Sequence, residues 1–216
     1  LPSSMGLSSS SSFTVGLIRG LYEFVGKDIS RKETADLAAK IELELKQTTG
    51  KQDAYGVTFG GLKYIQFNTD DSVNIEPIWL STEKFNSLEK SLKLVKIGNP
   101  RSAIDVLKSY NMNDQTDVLL SMKSQCLRMK EELKNDVVDN VGIEILINWG
   151  LKQQLSNKIE SKDTTEFFNG IKQYDGYKLL GAGGGGCALV CSDEHFNDEI
   201  PFKIDTKGLT MIKGVI

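Results

Sequence analysis

Apolar residues recur at helical spacing early in the chain, at Val15, Leu17, Ile18, Leu21, Tyr22 and Val25. That period predicts a helix from about Ser9 to Val25, with Gly26 as its C-terminal cap. Ser30-Arg31-Lys32-Glu33 reads as a capping box opening a second helix, whose apolar side carries Leu37, Ala38, Ile41 and Leu45. Glycines at 50, 56, 60 and 61 then mark turns or close backbone contacts. Leu62–Phe67 alternates as a strand, Asn68–Ser72 reads as a turn, and Val73–Ile78 completes a hairpin. The pattern changes around Leu80–Glu89, where a domain boundary is expected, dividing the chain into 1–82 and 83–216. Leu92–Ile97 reads as a buried strand broken by Gly98-Asn99-Pro100, and Arg101 onward as helical. Helices are predicted over Thr116–Leu133, from Val118, Leu119, Met122, Cys126 and Met129, and over Val141–Leu155, from Ile143, Leu146, Ile147 and Leu151. Two apolar strands then flank the run Gly181-Ala182-Gly183-Gly184-Gly185-Gly186, and a strand pair near Phe202–Ile204 and Met211-Ile212 closes the chain. Trp79 and Trp149 are read as packing residues.

The 216 residues suffice for one large domain or two small ones, with 39% hydrophobic and 25% charged residues. A net charge of −3 offers no basic surface for nucleic acid or anionic membrane. No apolar run approaches a membrane span. Cys126, Cys187 and Cys191 are an odd, unpaired set, so free thiols in a reducing, cytoplasmic compartment are expected. His195 is the only histidine, which makes a structural zinc site improbable. The chain opens on Leu1 without the features of a signal peptide, and reads as a fragment lacking upstream sequence.

Two stretches carry candidate chemistry. Pro2 to Ser12 is a loop of small residues that runs into a helix. The first N–H groups of a helix lack intrahelical partners and lie at the positive end of its dipole. Small side chains admit an anion to them, and serine hydroxyls add donors and caps, so the loop has the makings of a phosphate cradle. The four successive glycines at 183–186 are excessive for a turn between buried strands, because each costs order on folding. Close approach of something large to the backbone accounts for them better. The plain alternative is that both stretches are linkers.

Pro-x-x-x-Gly-Leu-x-Ser-Ser at 2–10, Gly-Lys-Gln-Asp-x-Tyr at 50–55 and Gly-Ala-Gly-Gly-Gly-Gly at 181–186, in that order, resemble the GHMP kinases. The forms GKQDAYGVTFGGLKYIQFN and LKLVKIGNPRSA are most similar to the D-glycero-D-manno-heptose 7-phosphate kinase branch. The resemblance covers essentially the whole chain. It implies an α+β, two-lobed fold, with a truncated ribosomal-protein-S5-like N-terminal lobe and a ferredoxin-like C-terminal lobe. The family's first motif is missing. Ser8 stands where the family has glycine, and Ala54 where heptose-kinase relatives carry glutamine.

The resemblance further implies ATP and Mg²⁺ as cofactors and a sugar or sugar phosphate as acceptor. Pro2, Ser4, Gly6, Leu7, Ser8, Ser9, Ser10 and Ser11 would hold the ATP phosphates. Ser10, with Ser9 as the alternative, and Glu42 would hold the metal. Asp53 would contact the acceptor hydroxyl, while Lys51 keeps that carboxylate ionised or touches a sugar phosphate. Gly181, Ala182, Gly183, Gly184 and Gly185 would shape the cleft. Arg101 is either a phosphate or sugar contact or a solvated charge at a helix start. The acceptor could also be that of a galactokinase, fucokinase or mevalonate kinase, and a nucleotide- or sugar-binding homologue without catalysis is the alternative class. A homodimer is left open.

Overall fold

A computed structural model describes residues 5–46, 50–98, 106, 108–109 and 115–211. The chain divides into two compact units. One comprises Ser8–Pro77 with the chain from Ile204, and the other Ile78–Lys203 with Met5–Leu7.

In the first unit, α1 (Ser9–Phe24), α2 (Arg31–Lys46) and α3 (Gln52–Thr58) precede the hairpin β1 (Leu62–Phe67) and β2 (Val73–Ile78). The periodic residues Val15 and Ile18 of α1 pack with Ile29, Ala38, Ala39 and Ala54. Gly26 closes α1 at φ +67°. Its N–H bonds Glu23 O at 3.0 Å and the Lys27 N–H bonds Tyr22 O at 2.9 Å, a Schellman end. The capping box of α2 is present: Glu33 N–H donates to Ser30 Oγ at 3.2 Å, and Ser30 N–H donates to Glu33 Oε2 at 2.9 Å. The glycine-marked stretch after residue 50, read as turns, instead holds α3. Tyr55 and Ala54 bury fully there, and that burial overrides the weak helix preference of Gly56. Ala54 is a core position, so a glutamine there would be buried. Among the described residues the final segment holds no strand, and Ile212 lies outside them. Residues 202–204 are irregular, and the chain after them attaches by single bonds, Leu209 N–H to Thr58 O at 3.0 Å and Gly61 N–H to Asp205 O at 2.7 Å.

In the second unit, α4 (Thr82–Ser91) occupies the stretch where the sequence pattern changes, with Ser81 accepting from Lys84 N–H at 3.3 Å as its cap. It runs straight into β3 (Leu92–Ile97). Then come α5 (Thr116–Lys134), α6 (Val141–Gln153), α7 (Lys162–Gly170), β4 (Gly176–Leu179), β5 (Gly186–Cys191) and β6 (Glu199–Ile200). The sheet order is β4-β5-β3-β6, with every described pairing antiparallel. β5 lies between β3 and β4, and the helices connect those two, which is the split βαβ of ferredoxin-like sheets. The helical expectation from Arg101 falls mainly outside the described residues. α7 escaped the sequence reading because only Phe167 and Phe168 mark its apolar side.

The core of this unit is Val95, Ile97, Trp149, Leu155, Ile159, Phe168, Leu179, Ala188 and Val190. Trp149 packs as expected, at 2% exposure, whereas Trp79 is 82% exposed and corrects the packing assignment made for it. Helix α6 comes against β4 through two glycines. A Cβ on Gly176 would lie 2.0 Å from Gly142 O, so Gly176 admits no side chain without moving backbone, and one on Gly142 would press on Asp175 Cβ at 3.1 Å. Cys126, Cys187 and Cys191 are free. No described helix is long and apolar enough to cross a membrane.

Candidate active site

In the first unit the serines at the start of α1 do not cap it. Ser8 is the N-cap residue, in the left-handed region at φ 54°, and its side chain makes no capping bond. This residue takes the conformation a glycine would take more freely. The expected serine capping gives way to another arrangement. Ser10 Oγ donates to Glu42 Oε1 at 2.7 Å, and Ser11 Oγ donates to Glu42 Oε2 at 2.6 Å. Glu42, on α2, is only 2% exposed. Both its oxygens are bound by hydroxyls from one helical turn, and the first turn of α1 carries no acid of its own. Ser9 Oγ is buried and has no hydrogen-bond partner among the described residues.

Hard oxygen donors of this kind suit Mg²⁺, which prefers oxygens and keeps several waters. A hydroxyl and a carboxylate oxygen in contact, with a further unpartnered hydroxyl one residue away, fit such an ion. No group of three or more His, Cys, Asp or Glu gathers here or elsewhere among the described residues.

Asp53 lies in the first turn of α3 and is exposed. Lys51, just before it, pairs with Asp71 at 2.7 Å. The Lys51 ammonium is thus turned to Asp71, and no ion pair joins it to Asp53 among the described residues. A neighbouring arrangement was missed from sequence. The Tyr55 hydroxyl donates to Asp36 Oδ1, and Lys32 Nζ donates to Asp36 Oδ2 at 2.8 Å. Burial, then the bond to Asp36, raises the Tyr55 pKa. Asp36 is pushed up by burial, but the bonds from Lys32 and Tyr55 outweigh this and lower its pKa. An Asp at the i+4 position from Lys32 was the only signal available.

In the second unit, Met5–Leu7 lies against the glycine run. A Cβ on Gly6 would stand 2.9 Å from Gly181 N and from Leu180 O, and one on Gly186 would stand 2.9 Å from Met5 O. Gly6 and Gly181 both have positive φ, +74° and +67°. The glycine run thus admits another stretch of backbone, as the excess of glycines predicts. Gly184 N–H donates to Ile159 O at 2.7 Å and ties the run to the loop before α7. Two lysines unremarked in the sequence reading stand at its root. Lys152 Nζ, on α6, donates to Leu179 O at 3.3 Å and Gly181 O at 2.5 Å. Lys178 Nζ, on β4, donates to Asn148 Oδ1 at 2.6 Å. Burial lowers both pKa values, and for Lys152 the charge of Lys178 adds to it, reaching about 8. The sequence signal was a lysine three residues past Trp149, on the apolar side of its helix. Pro2, Ser4 and Arg101 lie outside the described residues.

Residues 1–61 match the GHMP kinases N terminal domain. The chain is 28% identical over 196 residues to D-glycero-alpha-D-manno-heptose 7-phosphate kinase of Campylobacter jejuni, covering 86% of this chain and 57% of that protein. It is 29% identical over 203 residues to a bifunctional fucokinase/GDP-fucose pyrophosphorylase of Arabidopsis thaliana, covering 90% of this chain and 19% of that one. The chain therefore spans under two thirds of the length of either relative. Among solved structures, a D-glycero-D-manno-heptose 1-phosphate kinase from Bacteriodes thetaiotaomicron superposes with a TM-score of 0.68 at 22% identity, over 89% of this chain and 55% of that one. The chain thus matches the GHMP kinases N-terminal domain over its first 61 residues and shares the α+β fold of this solved kinase over most of its length.

Proposed function

We propose that the protein is an ATP-dependent small-molecule kinase that transfers the γ-phosphate to a hydroxyl of a sugar or sugar phosphate. D-glycero-D-manno-heptose 7-phosphate is the first acceptor to test, ahead of galactose, fucose and mevalonate. Residues 1–82 then belong to an ATP-binding domain and 83–216 to a C-terminal domain, in a cytoplasmic enzyme. The observation that carries this reading is the pair of α1 hydroxyls on the buried carboxylate of Glu42.

Phosphoryl transfer asks the protein for alignment and charge neutralisation more than covalent help. The loop Gly6–Ser11, with Pro2 and Ser4 before it, would lie along the triphosphate, its N–H groups at the positive end of α1. Ser10 and Glu42, with Ser9 at hand, would hold Mg²⁺. That ion, when bound, neutralises phosphate oxygens. Asp53, exposed at the start of α3, would accept the proton of the acceptor hydroxyl as its oxygen bonds the γ-phosphorus and the bond to the β-phosphate oxygen breaks. Lys51, released from Asp71, would reach a substrate phosphate. Gly181, Ala182, Gly183, Gly184 and Gly185 would bound the cleft, and Arg101 is a further candidate contact.

The test is transfer from Mg-ATP to the acceptor panel by the full-length gene product. Asp53→Asn is expected to lower kcat by about 10²–10⁴-fold with the fold intact. Glu42→Gln is expected to raise the Mg²⁺ requirement. Unchanged turnover in Asp53→Asn would remove that residue from the chemistry. Mg-ATP binding with no transfer to any acceptor would favour a binding protein that has lost catalysis.

A further inference from the structure

We propose that Lys152 and Lys178 form a binding site for a phosphate group at the root of the glycine run. Both belong to the second unit, and they come from different elements, α6 and β4, that the Gly142–Gly176 contact draws together. Each ammonium has three donors. Lys152 uses two, on Leu179 O and Gly181 O, and Lys178 uses one, on Asn148 Oδ1. Every one of these acceptors is a neutral amide oxygen, and three donors stay uncommitted. Neither lysine faces a carboxylate among the described residues.

Both lysines are half-buried, and partly desolvated charges are ordinarily paired, because desolvation is costly and like charges close by add to that cost. The surroundings withhold the obvious counter-charge. Asn148 Nδ2 donates to Gln125 Oε1 at 3.2 Å, and Gln125 Nε2 donates to Glu144 Oε2 at 2.9 Å. Glu144, the carboxylate at the end of this chain, is already taken by Arg128, through Nε at 2.5 Å and a second nitrogen at 3.0 Å. The network fixes Asn148 so that its oxygen meets Lys178, while the negative charge is spent two side chains away. From α6 the Trp149 ring also faces Lys152, 5.9 Å from Nζ, and adds no full charge. A phosphate dianion would supply the missing charge and accept the remaining donors. It would also favour the protonated form of Lys152, whose lowered pKa reflects burial and Lys178.

The site itself does not depend on the kinase reading. Whether the phosphate belongs to the nucleotide or to a phosphorylated acceptor does rest on it. The experiment measures lysine-by-lysine acylation by mass spectrometry on the full chain at pH 8. Inorganic phosphate, ADP, glucose 6-phosphate, glucose or KCl at matched ionic strength is added in turn. Phosphate-bearing probes at ten times their Kd are expected to slow Lys152 and Lys178 by about tenfold, while exposed Lys162 is unchanged and glucose and KCl do nothing. Protection by ADP alone assigns the site to the donor, and protection by glucose 6-phosphate alone to the acceptor. Equal rates under all conditions, or protection by KCl as strong as by phosphate, would overturn the site and leave Lys152 as a clamp on the loop. Calorimetry supplies a second readout: Lys152→Met/Lys178→Met should lose phosphate binding and the double arginine variant should keep it. Protection without any phosphotransfer leaves the site standing and removes the kinase reading. Phosphotransfer without protection does the reverse.

Discussion

The start of α1 and the glycine run before β5 are both made of small residues, but small size serves different ends. At α1 the side chains do the work. The hydroxyls of Ser10 and Ser11 reach a buried carboxylate, and both oxygens of Glu42 accept a hydrogen bond. At the glycine run the absence of side chains does the work. Backbone lies against backbone at Gly6 and Gly181, and the charge beside it, on Lys152 and Lys178, has no answering carboxylate among the described residues. Similar sequence texture therefore yields one corner where hydroxyls bind both oxygens of a carboxylate and one where two ammoniums meet only amide oxygens.

That contrast can be broken most sharply at the backbone contact that supports the glycine corner. Gly176→Ala places a Cβ 2.0 Å from Gly142 O. The expected loss is about 3–5 kcal/mol in urea unfolding, or failure to fold, since α6 must retreat from β4. Stability close to wild type would mean that the two backbones do not need this approach.

The uncompensated charge makes a pH prediction. The Lys152 pKa falls from 10.5 to about 8 on folding. Between those values the unfolded chain holds more protons, so stability rises with pH across about 8 to 10.5 and the penalty is fully present below 8. Lys178, also lowered by burial, acts in the same direction. Taken as wild type minus Lys152→Met at each pH, the gain should be about 2 kcal/mol across the window. A flat difference would show that the ammonium is adequately solvated.

At the start of α1 a smaller effect is expected. Ser11→Ala removes the donor to Glu42 Oε2 and should cost about 1–2 kcal/mol in the same unfolding assay. A neutral result would mean that water replaces the hydroxyl. Smallest of all, Lys51→Ala breaks an exposed pair with Asp71 and should change stability by less than about 0.5 kcal/mol. A larger loss would place Lys51 among the structural residues of the first unit.

Local sequence patterns carried much of the fold. The α1 stripe, the Ser30–Glu33 box, the β1–β2 hairpin and the strands around the glycines depend on neighbours within a few residues, so period and cap chemistry reveal them. α3 was hidden because Gly50, Gly56, Gly60 and Gly61 signal turns, while the residue that holds it, Tyr55, is fixed by Asp36 nineteen positions away. The final segment reads as strand by composition, yet its described residues make an isolated bridge, Phe59 to Gly208, and no strand.

For the site, the sequence by itself determined two small-residue motifs, an acid on α2 and an acid after Lys51. It did so because residue type and spacing suffice to open a helix start or to permit positive φ. Tertiary structure alone decided that the serine hydroxyls meet Glu42 across 31 and 32 positions instead of capping α1. It alone decided that Lys51 pairs with Asp71, and that Lys152 and Lys178 share one corner. Each depends on side chains brought together by packing between distant segments, and no local period encodes such a meeting.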